Sequence, residues 1–130
     1  MSLHTLLRCL VMLCVGVLLS NCGSSPSNSA NTITIANYTY TPSNLSVPAG
    51  TTVTVVNRDG TNHSLTSQSA LGNYTPGAVN SVQFDTGPFA GTANFTISST
   101  AQVGTVIPYF CTVHKATMGM GQGQITVTGP

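Results

Sequence analysis

The feature that most constrains the fold of this 130-residue chain is an apolar period of two residues. Short runs rich in β-branched and aromatic residues alternate with Ser, Thr and Asn, as half-buried β-strands do. The alternating residues are Ile33 and Ile35, Leu45 and Val47, Val82 and Phe84, Phe95 and Ile97, Ile107 and Tyr109, and Ile125 and Val127, and Thr51 to Val56 is β-branched throughout. No segment shows a convincing apolar stripe at helical spacing, and Gly, Pro and Asn separate the runs. The sequence therefore predicts an all-β fold, a Greek-key β-sandwich or barrel of seven to eight strands.

The N-terminus has the composition of a targeting segment rather than of a folded one. Arg8 precedes an unbroken apolar run, Cys9 to Leu19, that is too short to span a bilayer. The following Ser-Asn-Cys resembles a bacterial lipoprotein cleavage box with Cys22 as the lipidated residue. We therefore predict a signal peptide at residues 1–21, a flexible tether at 22–31 and one domain at 32–128. The protein is then exported, either periplasmic or anchored to a membrane through Cys22 and facing the periplasm or the exterior.

Charged residues are scarce in the predicted domain, and this scarcity excludes one class of partner. Arg58, Lys115, Asp59 and Asp85 remain after the signal segment, and their charges cancel. Without a basic patch, nucleic acid is excluded as a partner. Asp59 precedes Gly60 in a turn-forming dipeptide, so we interpret it as a turn or capping residue rather than as a ligand. Pro108 inside an apparent strand predicts an edge strand or a bulge.

A single cysteine, Cys111, belongs to the predicted domain, because the others lie in or next to the signal segment. An unpaired thiol in an oxidising compartment is usually buried, bonded to a metal or catalytic. His114 follows three residues later, as in a tight loop that closes on one metal ion. Thiolate and imidazole suit copper, zinc or iron, whereas the thioethers of Met118 and Met120 suit copper far better than zinc. The domain's other histidine, His63, follows a β-branched strand and is the candidate for a further ligand.

The ordered set of these segments resembles the small blue copper proteins, the cupredoxins of the plastocyanin and amicyanin type. The resemblance covers nearly all of residues 32–128, through Tyr38 to Gly50, Val53 to His63, Phe84 to Phe95, and Gly104 to the methionines. It implies one type 1 copper ion with His63, Cys111 and His114 as strong equatorial ligands and a methionine as the weak axial ligand. Such a protein is a one-electron carrier, not an enzyme.

Two details of the site follow from the resemblance. Counting back from the last strand, Met120 is nearer the family position of the axial ligand, and Met118 is the alternative. Ser64 is the candidate for a backbone N–H donor to the sulfur of Cys111. The resemblance also makes His114 the ligand nearest the surface, so redox partner proteins would dock on a largely uncharged patch near it. We expect the protein to be a monomer.

Three other functions compete with electron transfer. A copper chaperone would hold Cu(I) through His63, His114, Met118 and Met120, and the paired methionines motivate this alternative. A Cys–His hydrolase is conceivable from Cys111 and His114, but no orienting carboxylate is evident. A structural or adhesive β-domain explains the polar surface and leaves the histidines, thiol and methionines unexplained. Enzymes with several copper centres need more histidines than this chain offers outside its signal segment.

Overall fold

A computed structural model describes residues 30–115, 117, 118 and 122–130, and these residues include eight β-strands. The strands are β1 (Thr32–Ala36), β2 (Thr39–Thr41), β3 (Asn44–Pro48), β4 (Thr52–Asn57), β5 (Thr66–Ser67), β6 (Thr92–Thr96), β7 (Val106–Phe110) and β8 (Gly123–Thr128). They form two four-stranded sheets, which confirms the predicted all-β sandwich of seven to eight strands.

The two sheets mix parallel and antiparallel pairing. One sheet has the strand order β2-β1-β4-β6 and the other the order β3-β8-β7-β5. The pairs β1–β4 and β3–β8 are parallel, and the remaining pairs are antiparallel. Parallel neighbours cannot be joined by a hairpin, so the chain passes through the other sheet between them. Each sheet is thus assembled from segments that are far apart in sequence.

The alternating apolar residues fill the space between the sheets. Ile33 and Ile35 are fully buried, while Thr32 and Thr34 beside them are partly exposed. Phe84 lies outside the regular strands, yet it is buried and stacks on Phe95 with ring centroids 4.3 Å apart. Burying one such side chain stabilises the fold by about 1.5–3 kcal/mol. The period of two therefore reflects which face of each strand meets the other sheet.

Strand β7 departs from the alternation, since its last four residues are all buried. The ring of Phe110 meets the edge of Tyr74 from the segment that follows β5, and the Lys115 ammonium lies over it. The prediction of an edge strand or bulge at Pro108 is wrong, because β7 lies between β8 and β5 and its register with β8 runs unbroken through the pair Pro108–Gln124. The backbone N–H of Gln68 donates to the Pro108 carbonyl, so the chain after β5 continues to cover this strand.

Several predictions fall on residues outside the described part of the chain. The predicted signal peptide, Cys22 and most of the tether lie there, and so does Met120. In the described part, the first strand begins at Thr32 and the last ends at Thr128. That part contains no helix with the length and apolar character needed to cross a membrane.

Candidate metal centre

His63 lies between β4 and β5, and its backbone is fixed in an antiparallel bridge to Phe89. The two residues exchange both backbone hydrogen bonds, at 3.1 and 2.8 Å. The chain just before His63 is braced by Asn57, whose side-chain amide donates to the carbonyls of Thr61 and Phe89. The side chain of His63 is fully buried. Its ring position is therefore set by the surrounding protein rather than by solvent.

Cys111 and His114 come from the loop that begins where β7 ends. Cys111 is 1% exposed, and His114 is partly exposed. The His114 carbonyl accepts the backbone N–H groups of Thr117 and Met118 at 3.0 and 2.8 Å, which closes a tight turn directly after the histidine. This turn keeps His114 next to Cys111 instead of letting the chain run on as a strand.

Three ligand atoms converge from these two segments. The Cys111 Sγ lies 3.8 Å from Nδ1 of His63 and 3.8 Å from Nδ1 of His114, and the two Nδ1 atoms are 3.1 Å apart. The centre of this triangle is about 2.1 Å from each atom, which suits metal bonds of about 2.0–2.3 Å to imidazole nitrogen and thiolate sulfur. Among the described residues these are the three that could hold one metal ion. A thiolate with two imidazoles is the donor set of copper electron-transfer sites.

Ser64 ties the two ligand segments together. Its backbone N–H donates to the Cys111 Sγ at 3.3 Å, and its hydroxyl oxygen accepts the backbone N–H of Thr112 at 2.9 Å. The Ser64 carbonyl in turn accepts the hydroxyl of Tyr40 at 2.6 Å. Burial, with the nearby Cys111 as a smaller cause, raises the pKa of Tyr40 far above its usual value, so this hydroxyl stays a neutral donor. A hydrogen bond to the sulfur withdraws charge from a thiolate and restrains its position.

Asp59 contacts His63 on the side away from the triangle. Its Oδ2 lies 2.9 Å from Nε2 of His63. The pKa of the Asp59 carboxyl lies below its usual value, mainly because the carboxylate accepts the backbone N–H of Tyr38. Burial acts in the opposite direction, and the N–H groups of Asn37 and His63 lower the pKa further. A carboxylate only accepts hydrogen bonds, so Nε2 of His63 donates and its Nδ1 carries the free lone pair. That lone pair faces Cys111 and His114.

Tyr38 lies against both histidines, although it is 39% exposed. Its ring stands edge-on to His63 and to His114, with centroid distances of 5.3 and 5.0 Å. Neither the Tyr38 contact nor the Asp59–His63 bond was predicted from the sequence. For the Asp59–His63 bond, the available signal was the position of Asp59 four residues before His63. For the Tyr38 contact, the sequence offers no signal beyond the presence of an aromatic residue.

The two candidate axial ligands differ in what the structure shows. Met118 is 1% exposed and packs within the same core cluster as Cys111. Met120, which the loop spacing favours, lies outside the described residues. The choice of Met120 over Met118 therefore stays a prediction.

Eight strands in two sheets, with a thiolate and two imidazoles brought together from two loops, define a small β-sandwich domain with a candidate metal centre. The chain belongs to the family described as the cupredoxin-like domain, whose family model matches residues 9–127. A comparison with curated proteins gave no match.

Solved structures agree with this family. A purple cupredoxin from Nitrosopumilus maritimus is 25% identical, with a TM-score of 0.55 over 75% of this chain and 98% of that one. An oxidised amicyanin in which a methionine is replaced by leucine is 21% identical, with a TM-score of 0.54 over 76% of this chain and 82% of that one. At these identities the amicyanin likeness establishes the fold alone, and the residues of this chain must carry the argument for function.

Proposed function

We propose that this protein is an extracytoplasmic one-electron carrier with a single type 1 copper ion held by His63, Cys111, His114 and a methionine. The observation that carries the proposal is the convergence of one sulfur and two Nδ1 atoms at distances that suit a single ion. When bound, copper would supply the exchange of one electron between Cu(I) and Cu(II).

The residues around the site are suited to hold the ligands still. His63 is fixed through Phe89, Cys111 through the N–H of Ser64, and His114 through its own turn. A ligand set that is held by backbone hydrogen bonds changes little when the charge at the site changes, and this favours fast electron exchange. The burial of Cys111 also keeps the thiolate away from water and from oxidation.

Visible absorption of the purified protein tests the proposal. Addition of Cu(II) should produce an intense blue, purple or green band, which ascorbate bleaches and reoxidation restores. Cys111→Ser should abolish the band, because the colour requires the thiolate. As a matched control, Ser46→Ala alters an exposed serine of β3 and should leave the band unchanged. Failure of the wild-type protein to bind copper in either oxidation state would refute the proposal.

Copper handling is the competing function, and the burial of the ligands weighs against it. A protein that passes its metal on needs ligands that a partner can reach, whereas His63 is fully buried and Met118 nearly so. Cys111→Ser also separates the two functions. Electron transfer should be lost with the band, whereas a Cu(I) site built from histidines and methionines would keep its affinity.

The surface near His114 supports a proposal about redox partners. Val113 and Tyr38 are 45% and 39% exposed, and both are uncharged. We expect partner proteins to dock on this largely uncharged patch in a small and transient contact. The rate of electron exchange should then change little with ionic strength, unlike that of charge-steered pairs. A steep fall with added salt would contradict this part of the proposal.

Localisation and assembly are proposed from the sequence. Residues 1–21 would direct export, and lipidation of Cys22 would anchor the domain to a membrane through residues 22–31. Cys22→Ser should then release a soluble, exported protein, and the mass of the wild-type N-terminal peptide should show the lipid. The domain is proposed to be a monomer, which sedimentation of the released form would test.

A further inference from the structure

We infer that Asp59 is a positioning residue, whose single carboxylate holds His63 with Nδ1 free for the metal and holds the β1–β2 turn that brings Tyr38 against both histidines. The inference builds on the proposed copper site, but its first step concerns the protein without metal. Asp59 is not a metal ligand in this inference, because its Oδ2 contacts Nε2 of His63, on the side of the ring away from Nδ1.

The first half of the role is the choice of His63 tautomer. A neutral imidazole carries its proton on Nδ1 or on Nε2, and a metal can bind only the nitrogen without it. Asp59 Oδ2 accepts from Nε2 at 2.9 Å, so the proton is kept there. The 3.1 Å separation of the two Nδ1 atoms fits this assignment, since His114 can then donate to the free lone pair of His63.

The second half of the role is the conformation of the turn between β1 and β2. Asn37 and Tyr38 both have positive φ, 51° and 58°, between the paired residues Ala36 and Thr39. This is a two-residue hairpin turn of the type that normally contains glycine. The carboxylate of Asp59 accepts the N–H of Asn37 at 2.7 Å and that of Tyr38 at 3.0 Å, which offsets the unfavourable backbone.

The two halves meet at Tyr38. With its backbone held by Asp59, its ring stands edge-on to His63 and His114 at interplanar angles of 86° and 83°. Asp59 thus restrains His63 directly through Nε2 and restrains both rings indirectly through Tyr38. The carboxylate connects a hairpin 21 and 22 residues away in sequence to the ligand set.

Two alanine substitutions test the inference. Asp59→Ala removes the acceptor for three N–H groups. Asp85→Ala is the matched control, because Asp85 is the other carboxylate of the domain and accepts hydrogen bonds from Thr66 and Gly87 rather than from a histidine. Nitrogen-15 NMR at one fixed pH reports the His63 tautomer in the metal-free protein. Competition with a chelator then gives the Cu(I) affinity, and voltammetry gives the reduction potential.

In wild-type and Asp85→Ala protein we expect the His63 proton on Nε2. In Asp59→Ala the proton should distribute over both nitrogens, and Cu(I) affinity should fall by about 10–100-fold. The reduction potential should rise, since a negative charge that favours Cu(II) is lost. A residue with a purely structural role would lower thermal stability without moving the tautomer or the potential.

If Asp59→Ala does not fold, Asp59→Asn decides the matter. Its amide has one acceptor oxygen for three donors, so at least one bond is lost. We expect an affinity loss smaller than that for alanine but larger than that for Asp85→Ala. Wild-type tautomer, affinity and potential in the Asp59 variants, or equal effects in Asp85→Ala, would overturn the inference. A protein that binds no copper would refute the proposed function, while the metal-free NMR comparison would still decide the role of Asp59.

Discussion

Replacement of Ser64 by alanine gives a quantitative test of how the ligand segments are held together. The Ser64 hydroxyl is fully buried and lies 2.9 Å from both the backbone nitrogen and the hydroxyl of Thr112. It also lies 3.2 Å from the hydroxyl of Thr66, which retains a bond to Asp85 in the variant. The main loss is therefore the acceptor for the Thr112 N–H.

A buried donor left without a partner costs about 1–3 kcal/mol, and the partial exposure of Thr112 places the cost in the lower half of that range. With the weaker hydroxyl contacts added, we expect Ser64→Ala to lower the free energy of unfolding by about 2 kcal/mol. The sulfur keeps its bond from the backbone N–H of residue 64. The absorption band of the copper-loaded protein should therefore survive, while the stability falls.

Urea denaturation of metal-free, reduced protein, followed by circular dichroism, measures this effect. For a slope of about 1–1.5 kcal/mol per M, a loss of about 2 kcal/mol lowers the midpoint by about 1.3–2 M. Ser46→Ala, the exposed control on β3, should stay within about 0.5 kcal/mol of wild type. A Ser64→Ala midpoint that is indistinguishable from the control would show that Thr112 does not depend on this hydroxyl and would refute the reasoning.

Three further predictions concern the loop, the last strand and acid. Leucine in place of the axial methionine should raise the reduction potential and weaken copper binding. Voltammetry of Met118→Leu and Met120→Leu therefore identifies the ligand. A shift of the potential with Met118→Leu alone would overturn the preference for Met120. Gly123→Ala would place a Cβ against the Tyr109 hydroxyl, closer than contact allows, and should lower the free energy of unfolding by about 1–3 kcal/mol in urea titrations. Because the folded-state pKa of Asp59 is lowered from 3.8, its contribution to stability should be present above that pH and be lost as pH falls below it. Asp59→Asn should lack this part of the acid transition in titrations of the metal-free protein.

The strands and the core were predictable because burial on one face imposes a period of two on the sequence. Ile33, Ile35, Ile125 and Val127 show this directly, since each is buried and its neighbours are more exposed. The pairing of the strands was not predictable in the same way. Alternation says which face of a strand is buried but not which strand lies beside it. The parallel pairs β1–β4 and β3–β8 therefore appear only in the structure.

The candidate ligands could be identified from residue chemistry, whereas their supports could not. The predicted domain has one cysteine, Cys111, and two histidines, His63 and His114, so their presence carries information even without a structure. By sequence Asp59 is an ordinary turn residue and Tyr38 is one of several aromatic residues, and their contacts with the histidines depend on the relative placement of β1, β2 and β4. The prediction from Pro108 was wrong because it, too, depended on which strands lie beside β7. The missing N–H of Pro108 indicates an unpaired strand edge, but β7 is flanked on both sides at this point.

The separation of the ligands along the chain has a consequence for the stability of the protein. His63 and Cys111 are 48 residues apart, so an ion bound to both would close a long loop as a reversible cross-link. In the folded protein the two residues meet because the strands beside them are paired, so an ion held by both would bind the native state. Binding to the native state alone stabilises it by mass action. Copper supply would thus determine how strongly each molecule resists unfolding and the proteolysis that follows it.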